Sequence, residues 1–289
     1  MNEEFILAKC DYFCNVQLWP LFEHLNPRAW LANFEKTERP FALQLLNAFL
    51  YFSAAQTNHM FEGAFNTISR SFASNNPSYR TAEQAWNDFK SSAIIVPLKG
   101  ENPNPTDSGY IFCRAARQAL GLHQEQIVEP HEALASLGHQ IRPVIFVDDF
   151  VGSGEQCIKT WERDYSGTSF KKLFDGGALQ TVLYCSVICT TYGRKRIKHS
   201  CPAIQLFASH FLSEEFSCID PQSIIAKAIP RNEFHDFIRI ASNRAGIPNT
   251  KHFGFHDLAL ALAFEHCVPD ATLPLFYWEQ NWAPLAKRR

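Results

Sequence analysis

The chain has 289 residues, and 46% of them are hydrophobic, which is typical of a globular protein. Its formal net charge of -2 excludes a protein that coats nucleic acid through overall positive charge, although a local basic patch stays open. The acidic start, Met1 to Glu4, and the lack of a membrane-length apolar segment predict a cytoplasmic protein with no membrane partner. The nine cysteines include no CxxC pair, which favours buried, reduced thiols over a zinc site.

Residues 1–91 predict a helical N-terminal region, without the alternating pattern of a strand. Proline favours the first turn of a helix, and Pro40 precedes an apolar stripe at helical spacing. The stripe consists of Leu43, Leu46, Phe49 and Leu50. Further helices are predicted over residues 59–72 and 81–89, the first of which stops before an Asn-Asn-Pro turn.

From residue 92 the pattern changes to short apolar runs separated by helical stretches. Runs of this length suit the buried strands of a parallel sheet, and their alternation with helices indicates an open sheet covered by helices. We therefore predict an α/β domain over residues 92–289, with an open, mainly parallel sheet flanked by helices. The predicted strands are Ala93–Val96, Gln126–Val128, Pro143–Val147, Thr181–Cys189 and Ala203–Ala208.

The last part of the chain is predicted to be helical again. Helical patterns over Glu233–Ala245 and Phe255–His266 precede a tail rich in tryptophan and proline. His252, His256 and Asp257 have the residue types of a ligand cluster. The interpretation that we favour places His256 and Asp257 in the first turn of the second helix.

A strand followed by two acids and a glycine-rich turn predicts a phosphate-binding loop after Pro143–Val147. Ligands of open α/β sheets bind beyond the carboxyl ends of the strands, and a helix that begins there offers free N–H groups and a positive dipole end. Glycines allow a close approach of the backbone, and paired carboxylates can hold ribose hydroxyls or Mg²⁺-bound water. The segment consists of Asp148, Asp149, Phe150, Val151, Gly152, Ser153 and Gly154.

This segment resembles the PRPP-binding motif of the type I phosphoribosyltransferases. Asp148 and Asp149 match the paired acids of that motif, and Ser153 and Gly154 match its Thr/Ser-Gly. The resemblance implies that PRPP binds with Mg²⁺, and that a ribosyl group is transferred or released with loss of pyrophosphate. It implies that the two aspartates are catalytic and hold the metal through water. The 5-phosphate loop would comprise Phe150, Val151, Gly152, Ser153, Gly154, Glu155 and Gln156.

An upstream loop, Pro97 to Asp107, takes the place of the pyrophosphate loop of these transferases, between an early strand and a helix that starts at Ser108. Lys99 and Gly100 then supply a cation and a flexible backbone for pyrophosphate. The match is one of order and chemistry, and an ordinary crossover loop with a solvated lysine stays an equal alternative.

Two departures from the motif leave a second interpretation open. Glu155 and Gln156 stand where the family usually continues Gly-Thr, and the stretch from Leu122 to Arg142 leaves little room for a mobile lid. One hypothesis is an enzyme of the phosphoribosyltransferase type. The alternative is a non-catalytic module that senses PRPP or a nucleotide and regulates a partner.

The whole chain is similar to a bacterial family of phosphoribosyltransferase-like proteins, some of them encoded in phage-defence and other conflict loci. The similarity lies in the helical part Trp30–Phe52, the motif Asp148–Gly154 and the ending Pro269–Trp278. It implies an effector of a bacterial antiviral defence system, with a protein partner encoded by a neighbouring gene.

A basic run, Arg194–Lys198, follows the predicted strand that ends near Cys189. It is interpreted either as a patch for nucleic acid or polyphosphate, or as the solvated face of a helix. Because charge runs are commonly just exposed, the solvated face is favoured. Nucleic acid is therefore a partner that the sequence allows without requiring it.

Overall fold

The computed structural model describes residues 2–20, 24–98, 108–226 and 229–287. The chain divides into two compact units. One, the sheet unit, comprises residues 57–211. The other, the two-segment unit, comprises residues 1–56 together with residues 212–289.

Helices and strands alternate through most of the sheet unit, whereas helices predominate at the start of the chain. The helices are α1 Glu3–Asn15, α2 Pro27–Leu31, α3 Arg39–Ala48, α4 Ala54–Ser74, α5 Tyr79–Ser92, α6 Ser108–Leu120, α7 Pro130–Leu137, α8 Glu155–Glu162, α9 Phe170–Asp175, α10 Thr191–Ser200 and α11 Arg231–Arg244. The strands are β1 Leu50–Phe52, β2 Ile94–Pro97, β3 Val144–Val151, β4 Val182–Thr190, β5 Ile204–Leu212 and β6 Leu262–Phe264.

The main sheet has the strand order β2-β3-β4-β5. Strands β2 and β4 both run parallel to β3, with Ile94 opposite Val144 and Asp148 opposite Ser186. The first four residues of β3 are apolar and fully buried, as expected for a central strand covered by helices on both faces. The predicted α/β class, an open and mainly parallel sheet flanked by helices, is confirmed.

The predicted strand Gln126–Val128 is instead a 3-10 turn, Gln124–Gln126, followed by a single parallel bridge from Ile127 to Ile95. The buried side chain of Gln126 explains this. Its amide nitrogen donates to the Ala93 oxygen at 2.9 Å, and its oxygen accepts from the His123 nitrogen at 2.8 Å. A side chain thus satisfies groups that a longer strand would satisfy through its backbone.

The predicted helix Phe255–His266 is wrong. The chain makes a 3-10 turn at Phe255–Asp257 and then forms β6, which pairs in parallel with β1. His256, Asp257 and Ala259 have φ angles of 54°, 53° and 47°, which a right-handed helix cannot include. The N-terminal region, predicted to lack strands, therefore contributes β1 to this second sheet.

The compact units divide the chain at residues 57 and 212, whereas the sequence interpretation divided it at residue 92. In the two-segment unit, α1, α2 and α3 share one hydrophobic core with α11 and the C-terminal segment. Trp30 shows how: its indole nitrogen donates to the Leu275 oxygen at 2.7 Å, and its ring stacks on Phe276 at 5.3 Å. Contacts over more than 240 residues leave no local pattern in the sequence.

The cysteines agree with the sequence analysis. All nine are free thiols, and all except Cys267 are buried. Among the described helices, none is both long and apolar enough to cross a membrane.

Candidate functional site

The predicted motif lies at the carboxyl end of β3, the strand that has neighbours on both sides in the main sheet. Asp148 and Asp149 belong to the strand itself, and Val151 ends it. Gly152, Ser153 and Gly154 form a short turn, and α8 begins directly after it. One strand, one turn and one helix start therefore carry the whole motif.

The two carboxyl groups are buried together and share one hydroxyl. Asp148 is 3% exposed and Asp149 is 5% exposed. The Ser108 Oγ lies 2.9 Å from the Oδ1 atom of each aspartate. The backbone N–H of Asp149 also donates to Asp148 Oδ1 at 2.9 Å, and the hydroxyl of Tyr184 donates to Asp148 Oδ2 at 3.4 Å.

Burial raises the pKa of Asp148 well above its usual value, and the adjacent charge of Asp149 raises it further. The bonds from Ser108 and from the Asp149 N–H act in the opposite direction and are outweighed. A hydroxyl has a single proton, so Ser108 donates to one carboxylate at a time. The other contact is favourable when that carboxyl group itself carries a proton, which agrees with the raised pKa of Asp148.

Gly109 explains how Ser108 reaches the two aspartates. A Cβ atom at Gly109 would lie 2.6 Å from the Leu98 oxygen and 3.1 Å from the Leu98 nitrogen. The first turn of α6 therefore packs directly against the backbone that follows β2, which only glycine permits. This close packing places Ser108, the first residue of α6, beside the neighbouring strand β3.

The turn after β3 presents a series of backbone N–H groups. In the described part of the chain, no acceptor is bound to the N–H groups of Gly152, Ser153 or Gly154. Gly154 has φ 74° and precedes α8, whose first turn adds further N–H groups. The Ser153 Oγ accepts from the Glu155 nitrogen at 3.3 Å. Such a turn at a helix N-terminus suits an anion.

The end of the neighbouring strand β4 and the helix that follows it, α10, both contact this turn. The Thr190 hydroxyl donates to the Gly152 oxygen at 2.5 Å and accepts from the Gly193 N–H at 2.9 Å. A Cβ atom at Gly193 would lie 2.4 Å from the Gly152 oxygen. A Cβ atom at Gly154 would in turn meet Ile197 Cγ1 at 2.8 Å. Gly193 thus lets α10 contact the backbone of the turn, and Gly154 leaves room for the Ile197 side chain of α10.

Arg196 of α10 lies beside Glu155, the acidic residue that departs from the family motif. Its guanidinium donates to the Ser153 oxygen at 2.9 Å and lies 3.8 Å from the Glu155 carboxylate. The Lys159 ammonium is 2.9 Å from the same carboxylate. Two cations therefore compensate the negative charge of Glu155, which makes the electrostatic potential at the turn less negative.

The structure brings most of the predicted residues together. Phe150 and Val151 lie at the end of β3, and Gln156 is exposed in the first turn of α8. The predicted pyrophosphate residues, Lys99 and Gly100, lie outside the described residues.

The sequence analysis missed the supporting residues, which come from other elements. For Arg196, the basic run after a strand end was the available signal. For Gly193, the signal was a glycine soon after a strand that ends beside the motif. The missed residues are Ser108 as a partner of the carboxylates, Tyr184, Thr190, Gly193 and Arg196.

The model of the PRTase-CE family matches residues 27–288 of the chain. The chain belongs to the PRTase-CE family. It is therefore a phosphoribosyltransferase-like protein of type I, as its central motif predicted.

Among solved structures, orotate phosphoribosyltransferase from Aeropyrum pernix is similar, with 14% identity and a TM-score of 0.27. The similarity covers 45% of this chain and 65% of that one, just under two thirds of its length. No curated protein matches the chain.

For this PRTase-CE protein, we expect Asp148→Asn to be more stable than the wild type at pH 7 in the absence of divalent metal. The neutral amide replaces a buried carboxyl group whose pKa is raised in the folded state, and this raised pKa destabilises the wild type at pH 7. A gain of about 1 kcal/mol corresponds to about 2–4 °C in Tm for a chain of this size. The gain should shrink as the pH falls toward about 4, where the unfolded carboxyl also takes up its proton.

Thermal melts over this pH range test the expectation. Asp175→Asn is the matched control, because Asp175 is an exposed aspartate paired with Lys171 and its loss should change Tm little. A lower Tm for Asp148→Asn at pH 7 would show that the ionised Asp148 stabilises the fold.

We expect Gly193→Ala to destabilise the PRTase-CE protein by about 1–3 kcal/mol, because the new methyl group displaces the turn at Gly152. Gly138→Ala is the control: its Cβ would meet no atom closer than 3.5 Å, and its φ of -64° suits alanine. Chemical denaturation measures both variants. Equal stabilities would contradict the close contact between α10 and the turn.

Proposed function

We propose that the chain binds PRPP with Mg²⁺ at the end of β3 and transfers or releases the ribosyl group with loss of pyrophosphate. The observation that carries the proposal is a single juxtaposition. In the part of the chain that the structure describes, the N–H groups of Gly152, Ser153 and Gly154 have no protein partner, and they follow the buried pair Asp148 and Asp149 after two intervening residues. The turn would bind the phosphate and the carboxylates would bind the ribose, and these two parts of the site are only a few residues apart in the chain.

The turn is suited to the 5-phosphate group. Its N–H groups and the positive end of the α8 dipole attract negative charge. The contacts of Gly152 with Thr190 and of Ser153 with Arg196 hold its shape before a ligand arrives. A preorganised turn loses little conformational freedom on binding, which favours affinity.

The carboxylate pair is suited to the two ribose hydroxyls. Hydroxyl donors would meet buried acceptors, and hydrogen bonds to charged groups are stronger than those between neutral groups. Asp148 already accepts bonds from Ser108, Tyr184 and the backbone, so its role is also structural. Asp149 lies one residue nearer to the turn, and its loss is expected to act most directly on the ligand.

Mg²⁺ fits this donor set. The groups at the strand end are carboxylate and hydroxyl oxygens, and Mg²⁺ prefers oxygen ligands and retains several waters. Asp148 and Asp149 would hold the ion, through water. When bound, Mg²⁺ offsets the negative charge of pyrophosphate. Burial of two carboxyl groups in one place also favours the arrival of a cation.

In the proposed reaction, the bond between C1 of ribose and the pyrophosphate oxygen breaks, and a bond from C1 to the acceptor forms. The chain would contribute by positioning and by charge stabilisation. Lys99 and Gly100 remain proposed for the pyrophosphate.

The alternative, a non-catalytic module that senses PRPP or a nucleotide, is favoured by one observation. The described segment between α6 and β3 contains a 3-10 turn and α7, and no long loop that could close over the ligand. Where this segment leaves the site uncovered, water reaches the ribosyl group more easily. In this alternative, ligand binding changes how the chain meets a protein partner.

We expect Asp149→Asn to weaken PRPP binding by about 10–100-fold, because a bond to a charged acceptor contributes about 1.5–3 kcal/mol. Calorimetry with Mg²⁺ measures the affinity, and pyrophosphate release with bases, nucleotides and RNA measures turnover. Asp175→Asn serves as the control, since Asp175 is exposed on α9.

The two readouts separate the hypotheses. Binding with pyrophosphate release supports the enzyme, and binding without release supports the sensing module. No binding of PRPP by the wild type, with or without Mg²⁺, would defeat both.

We further propose a role as an effector in bacterial antiviral defence, in the cytoplasm and with a protein partner from a neighbouring gene. If the role depends on the site, Asp149→Asn should abolish phage protection or toxicity in cells, whereas Asp175→Asn should not. Plating efficiency of phage measures protection. An unchanged phenotype for Asp149→Asn would separate the role from this site.

A further inference from the structure

The outward face of α10 and the adjacent end of β5 form a basic and aromatic surface. We call it the α10 surface and define it by Tyr192, Arg194, Lys195, Lys198 and Phe211. All five residues are exposed. Their inward neighbours, Gly193 and Ile197, are buried against the sheet unit.

The charged residues of the α10 surface are all positive. Helix α10 contains Arg194, Lys195, Arg196 and Lys198, and it contains no acidic residue. Glu155, an acid of α8 that lies next to α10, is paired with Arg196 and with Lys159 of α8. Since the whole chain has a net charge of -2, this face is a local concentration of positive charge.

Two exposed aromatic rings accompany these charges. Tyr192 is 37% exposed and Phe211 is 41% exposed. The Arg194 guanidinium lies 4.6 Å from the centre of the Phe211 ring, and that of Arg196 lies 5.7 Å from the centre of the Tyr192 ring. Rings that carry cations and remain exposed can stack on the bases of a nucleic acid. A merely solvated helix face has no need of them.

The α10 surface continues into the candidate functional site. Helix α10 begins where β4 ends, beside the turn that follows β3. Gly193 packs on Gly152, and Arg196 donates to the Ser153 oxygen. Lys198 lies five residues beyond Gly193, about 7.5 Å along the helix. A polymer on this face would therefore pass next to the phosphate-binding turn.

We propose that the α10 surface binds a single-stranded nucleic acid and that this strand supplies the acceptor of the ribosyl group. The acceptor role rests on the proposed function, whereas the binding does not. Single strands fit because their bases are free to stack on exposed rings, while their phosphates meet Arg194, Lys195 and Lys198.

The transfer step balances with the reactants already named. A nucleophilic oxygen or nitrogen of the strand bonds to C1 of ribose as the bond from C1 to pyrophosphate breaks. Pyrophosphate leaves with the bonding electrons, and the proton of the nucleophile passes to water.

Fluorescence anisotropy of the full chain tests binding, with labelled strands of about twelve uridines or deoxythymidines. We expect the double variant Arg194→Glu/Lys198→Glu to raise Kd by about 10–100-fold. It should also reduce the slope of log Kd against log salt by about 1.4, because two phosphate contacts of a single strand are lost. Preference for RNA, or equal binding of both strands, supports the proposal.

The matched control is Lys171→Glu/Lys172→Glu on α9, which makes the same charge change on two exposed lysines of the sheet unit. Its Kd should stay within about threefold of the wild type. An equal loss in both double variants would show attraction by overall charge and would overturn the proposal.

The aromatic rings give a second, independent readout. Tyr192→Ala and Phe211→Ala should each raise Kd by about 5–100-fold and leave the salt slope unchanged, as expected for lost stacking. A duplex or inorganic polyphosphate that binds as tightly as the single strand would overturn the proposal.

Calorimetry with PRPP separates this proposal from the proposed function. It is carried out on the wild type and on Arg194→Glu/Lys198→Glu. Strand binding by the wild type without PRPP binding leaves the α10 surface standing and removes its acceptor role. PRPP binding without strand binding overturns the proposal alone. A melting temperature equal to that of the wild type shows that the double variant is folded.

Discussion

Ser108 shares its single hydroxyl between two carboxyl groups that are buried at the end of an apolar strand. This contact requires the first turn of α6 to pack against the backbone of Leu98, directly after β2, which in turn requires glycine at position 109. Burial of Asp148 and Asp149 costs folding energy, because like charges in a dry environment repel each other. The same burial keeps the two carboxyl groups largely shielded from water at the strand end. Strand β2 and α6 thus support the carboxylates, while β4 and α10 support the turn after β3.

Local patterns predicted the main sheet well. The apolar runs that became β2, β3, β4 and β5 are short and bounded by turns, so each run by itself indicates a buried strand. Such local patterns do not predict which distant segments of the chain pair with each other. The apolar residues of Leu262–Phe264 satisfy a helical template equally well, and pairing with β1 decides for a strand. Positive φ angles at His256 and Asp257 then exclude the helix that was predicted across them.

The residues of the candidate site also fall into two groups, those that a local sequence pattern predicts and those that it does not. Residues adjacent in the chain, from Asp148 to Gly154, could be predicted because strand, acids and glycines form one pattern. Tyr184, Gly193 and Arg196 come from the neighbouring strand and its helix, 30 or more residues later, and the strand order brings them close. Glu155 departs from the family motif, and one of its two compensating cations, Arg196, is distant along the chain, so the sequence did not reveal this compensation.

The two-segment unit also determines the order in which the chain can fold during synthesis. Its N-terminal helices leave the ribosome first, but Trp30 finds its partners Leu275 and Phe276 only after the whole sheet unit has been made. The sheet unit, whose residues are continuous in the chain, can fold in the meantime. Apolar residues of α1, α2 and α3 stay uncovered during that interval. Nascent chains of this protein should therefore depend on chaperones that shield exposed apolar helices.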